Sequence, residues 1–514
     1  MEDLLKQAKT TMSRRGFAQL LLGACAIGLM ERSGAAAILG ETKNNMPWLS
    51  MQEASAEGVW RNLRVEGKLP RSLNGTLFRT APGQMENNGT RLKHLFDGDA
   101  YISAWKCEDG KAELQGRFLN TPQRTEELQA KAMLYGEYGT PAPRRAAGVQ
   151  PPKHKGKNQP SVNIVRWQDK LLGLSEGGLP TIINSNTLGY EGEWDFQNTV
   201  PANCSFTAHP RFCPRTGDGF AWGSERNAAS SLRIFRLDAK SGLAETLYTI
   251  SLGGFYMIHD AMLTENYFVM IVPPTKYDMA TLATGKARTI GEALRYYENE
   301  PARAYIFPRD NKNGTAQPIV IEMPSHLVFH HGNAYETTDG KIVFETIWGN
   351  PRHVLETLAN WKSQQSIRSD ALTTLRQVTI DLSKRTITGA TDIAAEVELP
   401  RFDSRLNGQK SRFLYATENS FFENAAIMRF DLRKMSEKKF SAGKNRTFGE
   451  PVFVPESSQS KNENGWLLTQ GYDATRNETF LEVRDAISLD FAARVWANGQ
   501  HLPLGFHGNF YTTI

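Results

Sequence analysis

The stretch VFHHGNAYE (residues 328–336) and the run KIVFE (341–345) just after it carry most of the information about the fold. KIVFE is rich in β-branched and aromatic residues, the composition of a buried strand. In a strand, neighbouring side chains point to opposite faces, so of His330 and His331 only one can face a common interior. Runs of the same kind recur along the chain at Asn163–Trp167, Arg233–Leu237 and Tyr267–Val272, with Asp-Gly, Asn-Gly and Ser-Gly turn pairs between such runs. Leu237–Gly242 follows one of these strands directly and reads as a hairpin turn, an outer turn if the strands are grouped in blades. A related Asp-Leu-x-Lys segment occurs at Asp381–Lys384 and Asp431–Lys434, which suggests repeated units, although no fixed period emerges. The chain therefore reads as all-β.

Three further histidine-bearing stretches accompany the first: FTAHPRF (206–212), YMIHDAM (256–262) and GFHGNF (505–510). His209, His259, His330 and His507 are spread over about three hundred residues, too far apart for a local zinc-finger type of site. Only a closed fold can bring such positions together, and four neutral imidazoles converging suit iron, copper or zinc. Taken singly, His209 or His259 reads as structural. His94, His154, His326, His353 and His501 read as surface or core residues.

The ordered setting of the four histidines resembles the carotenoid cleavage oxygenase family. The segments that carry the resemblance are Thr207-Ala208-His209-Pro210, His259-Asp260, Phe329-His330 through Asn333-Ala334-Tyr335-Glu336, and Gly505-Phe506-His507-Gly508. Leu69-Pro70 through Gly75–Arg79 looks like the family's entry segment. Phe96-Asp97-Gly98-Asp99 looks like its FDGDG stretch, with Ala100 in place of the last glycine. Glu176 in LSEGG, Glu398 in ELPRF and Glu450 in EPVFVP fall in further family contexts, so the resemblance runs from about Trp60 onward.

The resemblance implies a seven-bladed β-propeller, with a dome of long loops and short helices over one face and an iron(II) ion on its axis. His209, His259, His330 and His507 would be the ligands. Glu176, Glu398 and Glu450 would accept hydrogen bonds from the outer nitrogens of three of them, with the pairing left open. Seven blades of roughly 40–45 residues take about 300 residues, which leaves on the order of 170 for insertions. Helical signals at Glu126–Met133 and Ala359–Lys362 fall to those insertions.

The implied reaction is cleavage of a conjugated carbon–carbon double bond by O2 into two carbonyl products. The substrate would be a carotenoid, an apocarotenoid or a stilbene, and no organic cofactor is implied. Two alternatives stand beside it: a polyene isomerase of the same family, and an exported propeller that binds a ligand without chemistry. Tyr101, after the FDGD stretch, reads either as a donor to a phenolic substrate or as a packed aromatic.

Composition agrees with a large globular body: 514 residues, 40% hydrophobic and 22% charged. A net charge of +5 is mild for this length and gives no case for nucleic acid. The basic, proline-rich stretch Arg144–Lys157 reads as a mobile solvated loop, or alternatively as a peripheral contact with anionic lipid. At the N-terminus, SRRGF (13–17) and an apolar run through Met30 resemble a twin-arginine export signal, with Ala35-Ala36-Ala37 as a cleavage site. That reading assigns residues 1–37 to the signal, 38–514 to one propeller domain, and the protein to the periplasm. Leu22-Gly23-Ala24-Cys25 is a competing lipoprotein processing box. Cys107, Cys204 and Cys213 remain, an odd number without metal-site spacing, and read as free buried thiols.

Overall fold

The computed structural model describes residues 46–512, apart from 226–229, 312–313, 360–372, 458–459 and 461. The expected export signal, Cys25 and most of the helical signal at Ala359–Lys362 lie outside these residues. Among the described residues no helix is long and apolar enough to cross a membrane.

Seven antiparallel sheets of four or five strands form a seven-bladed β-propeller. The innermost strands, from the first blade to the seventh, are Gly508–Tyr511, Asn163–Trp167, Arg211–Phe212, Ala261–Leu263, His331–Glu336, Val397–Arg401 and Arg446–Pro455. The ring is latched twice. Gly508–Tyr511 pairs with Gly75–Pro82 to complete the first blade, and Val65–Gly67 pairs with Phe491–Trp496 at the edge of the seventh. Closure of this kind hides the edges that an open sheet would expose.

The strand sequences follow from their places in a blade. Tyr267–Val272 and Lys341–Gly349 have neighbours on both faces and are almost continuously buried, as their apolar runs require. The outermost Thr386–Ala395 and Ser436–Ser441 are polar and largely exposed. Seven apolar clusters fill the seven spaces between neighbouring blades, such as Ile271 and Ala304 against Ile342 and Phe344. An eighth cluster, with Met51, Met85, Leu95 and Leu504, lies among the insertions.

The Leu237–Gly242 turn and the two Asp-Leu-x-Lys segments occupy one structural place. Asp238, Asp381 and Asp431 each close the hairpin between the third and fourth strands of a blade. In each, one carboxylate oxygen accepts the backbone N–H groups two and three residues on. Asp485 does the same without the Leu-x-Lys context. The repeat is therefore a blade repeat, and insertions of unequal length hide its period.

The insertions leave the blades at the strand ends nearest the four histidines. They carry the helices Pro122–Ala130, Met279–Ala283 and Pro351–Ala359 and a small sheet of Phe255–Tyr256, Thr275–Tyr277 and Leu294–Tyr296. The helix expected over Glu126–Met133 ends at Ala130, because Lys131 takes a left-handed conformation as its cap. The basic stretch is largely exposed from Arg144 to Lys155, as expected, but Lys157 is not solvated. Its ammonium is buried against Asp99, Glu127 and Glu137 at 2.6, 2.8 and 3.3 Å. Those carboxylates lie in the FDGD segment, the first helix and the loop after it, so Lys157 pins the insertion to the first blade. Cys107 and Cys213 are buried free thiols, in line with the sequence reading, and Cys204 is buried as well.

Candidate metal centre

Four blades each send a histidine to one point, and the other three each send a glutamate to the outer nitrogen of one of those rings. His209 and His259 stand two residues before the innermost strands of the third and fourth blades; His330 and His507 immediately precede those of the fifth and first. Glu398 and Glu450 lie on the innermost strands of the sixth and seventh, and Glu176 follows the second strand of the second. Irregular register re-aims several of them: the pairing slips between His331 and Ala334, between Glu398 and Arg401, and between Phe448 and Pro451. Beside His507 the backbone is tightly constrained. Gly505 has φ +69°, and a Cβ there would stand 2.5 Å from the Thr80 carbonyl oxygen.

The Nε2 atoms of His209 and His259 are 3.1 Å apart, those of His259 and His330 3.2 Å, and those of His330 and His507 3.0 Å. On the far side of the rings, His330 Nδ1 donates to Glu398 at 2.6 Å and His507 Nδ1 to Glu450 at 2.9 Å, and His259 Nδ1 stands 2.5 Å from a carboxylate oxygen of Glu176. The pairing left open by the sequence is thereby fixed. His209 has no carboxylate partner among the described residues; its backbone N–H donates to Thr207 Oγ1 at 2.9 Å. His331 turns away from the axis toward Thr346, as strand alternation requires.

Burial holds the His209 pKa well below its usual value, and lowers that of His507 to about 4 despite Glu450. For His259 burial is outweighed by Glu176, which raises the pKa. Burial would also raise the Glu450 pKa, but Arg401, His507 and Arg79 together bring it down to about 2. Arg401 Nη1 donates to Glu450 at 3.0 Å, and Arg79 Nη1 lies 3.7 Å away.

This donor set fits a metal ion. With Nδ1 of three rings facing carboxylates, the proton of each neutral ring belongs on Nδ1 and its Nε2 is left as an acceptor. Acceptors facing one another at 3.0–3.2 Å repel unless a cation lies between them. Four neutral nitrogens suit iron, copper or zinc, whereas magnesium and calcium take oxygen ligands. Imidazoles about 2.1 Å from a shared ion stand about 3.0 Å apart at right angles and about 3.4 Å apart at the tetrahedral angle. The observed spacing is nearer the right angle, an arrangement that leaves further positions around the ion for other ligands.

The family model for retinal pigment epithelial membrane protein matches residues 51–512. The chain belongs to this family, that of the carotenoid cleavage oxygenases. It is 30% identical to the apocarotenoid-15,15'-oxygenase of Synechocystis over 87% of this chain and 92% of that one. It is 25% identical to resveratrol cleavage oxygenase 1 of Botryotinia fuckeliana, over 88% of this chain and 83% of that one. The crystal structure of cobalt-substituted Synechocystis apocarotenoid oxygenase superposes with a TM-score of 0.79 at 27% identity, covering 91% of this chain and 99% of the other.

Within this carotenoid cleavage oxygenase, the structure decides between the two readings of Tyr101. Tyr101 is buried in the cluster between the seventh and first blades, where its hydroxyl donates to the Ala56 carbonyl at 2.6 Å and its ring meets Phe118 edge-on. It sits on the third strand out from the axis, so it is the packed aromatic and not a donor to substrate. Other residues had no role assigned from sequence. Arg211, Asp260 and Arg401 stand inside the histidine and glutamate motifs themselves, and Arg79 ends the entry segment. Their neighbourhood to the motifs was the only signal, because their partners lie on other blades.

Proposed function

We propose that this protein is an iron(II) dioxygenase that cleaves a conjugated carbon–carbon double bond with O2 to give two carbonyl compounds. One oxygen atom would go to each carbon. The observation that carries the reading is the convergence of four Nε2 atoms, with the outer nitrogens of three of those rings facing carboxylates. His209, His259, His330 and His507 would hold the iron. Glu176, Glu398 and Glu450 fix the tautomer and direction of three rings and raise their basicity. Bound iron would supply the redox chemistry through which O2 reacts.

The surroundings of the four rings support an extended apolar or phenolic substrate, a carotenoid, an apocarotenoid or a stilbene. Phe329 meets His259 edge-on at 5.2 Å, and Phe506, next to His507, packs on Phe96 at 5.6 Å and Phe421 at 6.2 Å. The names of the relatives, an apocarotenoid oxygenase and a resveratrol cleavage oxygenase, support both substrate types. The test is incubation of iron-loaded protein with a panel of stilbenes and apocarotenoids, with products identified by mass. Two carbonyl fragments that together gain both atoms of O2 are expected. A product of unchanged mass would mean isomerisation, and no product across the panel would leave a binding propeller.

We also propose that Arg14 and Arg15 direct export of the folded protein to the periplasm, with cleavage after Ala37 in preference to lipoprotein processing at Cys25. Unprocessed cytoplasmic protein is expected when both arginines are changed to lysine. Normal periplasmic accumulation of that variant would show the signal to be misread.

A further inference from the structure

Among the described residues no strand pairing links one blade to the next, so the spacing between the histidines is set by what crosses between blades. A carboxylate and a guanidinium do this directly beside three of the histidines. Asp260, next to His259 on the fourth blade, is buried. Its Oδ2 accepts from the backbone N–H of His331, on the fifth blade, at 2.9 Å and from Arg211, on the third, at 2.6 Å. Arg211 stands two residues beyond His209. It donates through Nε to the Ala261 carbonyl at 2.6 Å and through Nη2 to the His331 carbonyl at 3.3 Å. One ion pair thus joins the segments that carry His209, His259 and His330.

The other half of the ring repeats the pattern. Arg401 on the sixth blade donates to Glu450 on the seventh, and to the Gly508 carbonyl and Asn509 on the first. In both cases an arginine of one blade meets a carboxylate of the next and a carbonyl of the one after. A lysine could match the charge but not the fork, because only a guanidinium presents several rigidly spaced donors.

We propose that Arg211 and Asp260 are positioning residues that set the mutual spacing of His209, His259 and His330 to what a bound metal requires. Apolar packing between blades holds strands together but leaves slack, whereas a productive metal geometry has to be held to within about 0.5 Å. The proposal rests on the reading of the four imidazoles as metal ligands.

The test uses cobalt(II) as probe on the full chain, with affinity and visible d–d absorption as readouts beside thermal melting. Asp260→Asn and Arg211→Lys should melt within a few degrees of wild type, yet bind cobalt about ten- to a hundredfold more weakly, with shifted bands. Arg494→Lys is the control. It alters a buried ion pair with Glu482 (2.7 Å) away from the axis, and should leave affinity and spectrum unchanged whatever it does to melting. Wild-type affinity and spectrum in the folded Arg211 and Asp260 variants would overturn the proposal. If Asp260→Asn does not fold, Arg211→Lys decides alone; if neither folds, the pair holds the fold and not the ligands, and the proposal is likewise overturned. His209→Ala run in parallel separates the two readings: cobalt binding as tight as wild type there would mean that the ligand assignment has failed.

Discussion

Among single residues, the three glutamates do one job under different constraints, and the difference predicts different variants. Glu398 is a quarter exposed, while Glu450 is fully buried with Arg401 and Arg79 against it. Glu398→Gln removes the charge behind His330 but strands no buried partner. It should lower metal affinity about ten- to a hundredfold with little change in melting, measured by metal competition and thermal unfolding. Glu450→Gln leaves two guanidiniums without their carboxylate. It should weaken metal binding and also cost about 3–5 kcal/mol of stability. Equal melting of the two variants would contradict this account of Glu450. His326 and His501 sit away from the centre, and burial lowers both pKa values to about 4. In the unfolded chain each titrates near 6.5, so between those values the unfolded state binds more protons and folding weakens as pH falls. Each should contribute a slope of up to about 1.4 kcal/mol per pH unit. Denaturant unfolding at pH 7.5 and 5 should show the loss, and His501→Gln should flatten it; an unchanged slope in that variant would exclude His501 as a source.

At the scale of elements, the site depends on backbone that leaves the regular strand. Gly505→Ala puts a methyl group 2.5 Å from the Thr80 carbonyl oxygen at a left-handed φ, two residues from His507. It should reduce metal content more than the same change at Gly443, whose φ of +84° is similar but whose Cβ would meet nothing within 4 Å. The strands at Asn163–Trp167 and Tyr267–Val272 were legible to the residue, since apolar runs between turn pairs state their own ends. The bulges at Glu398 and Glu450 were not. A slip in register depends on the partner strand, and nothing in ELPRF or EPVFVP alone announces it. The helix over Pro122–Ala130 was overrun by three residues because Lys131 gives no composition signal for a left-handed cap. Lys157 looked solvated for a related reason: its three carboxylates come from segments up to 58 residues away.

For the molecule as a whole, the four histidines could be named from sequence because each stretch carries its own context. Their convergence could not be derived from spacing, since insertions of unequal length conceal the blade period. The closed ring supplies what the sequence leaves implicit: histidines from four blades at one point, and a glutamate from each of the other three matched to one of them. The proposed centre requires that the four imidazoles bind one metal ion per chain. Iron content of purified protein, measured beside the variants His259→Ala and His507→Ala, tests it most directly. About one iron per chain in the wild type and little in either variant is the predicted result; full iron occupancy in both variants would contradict it.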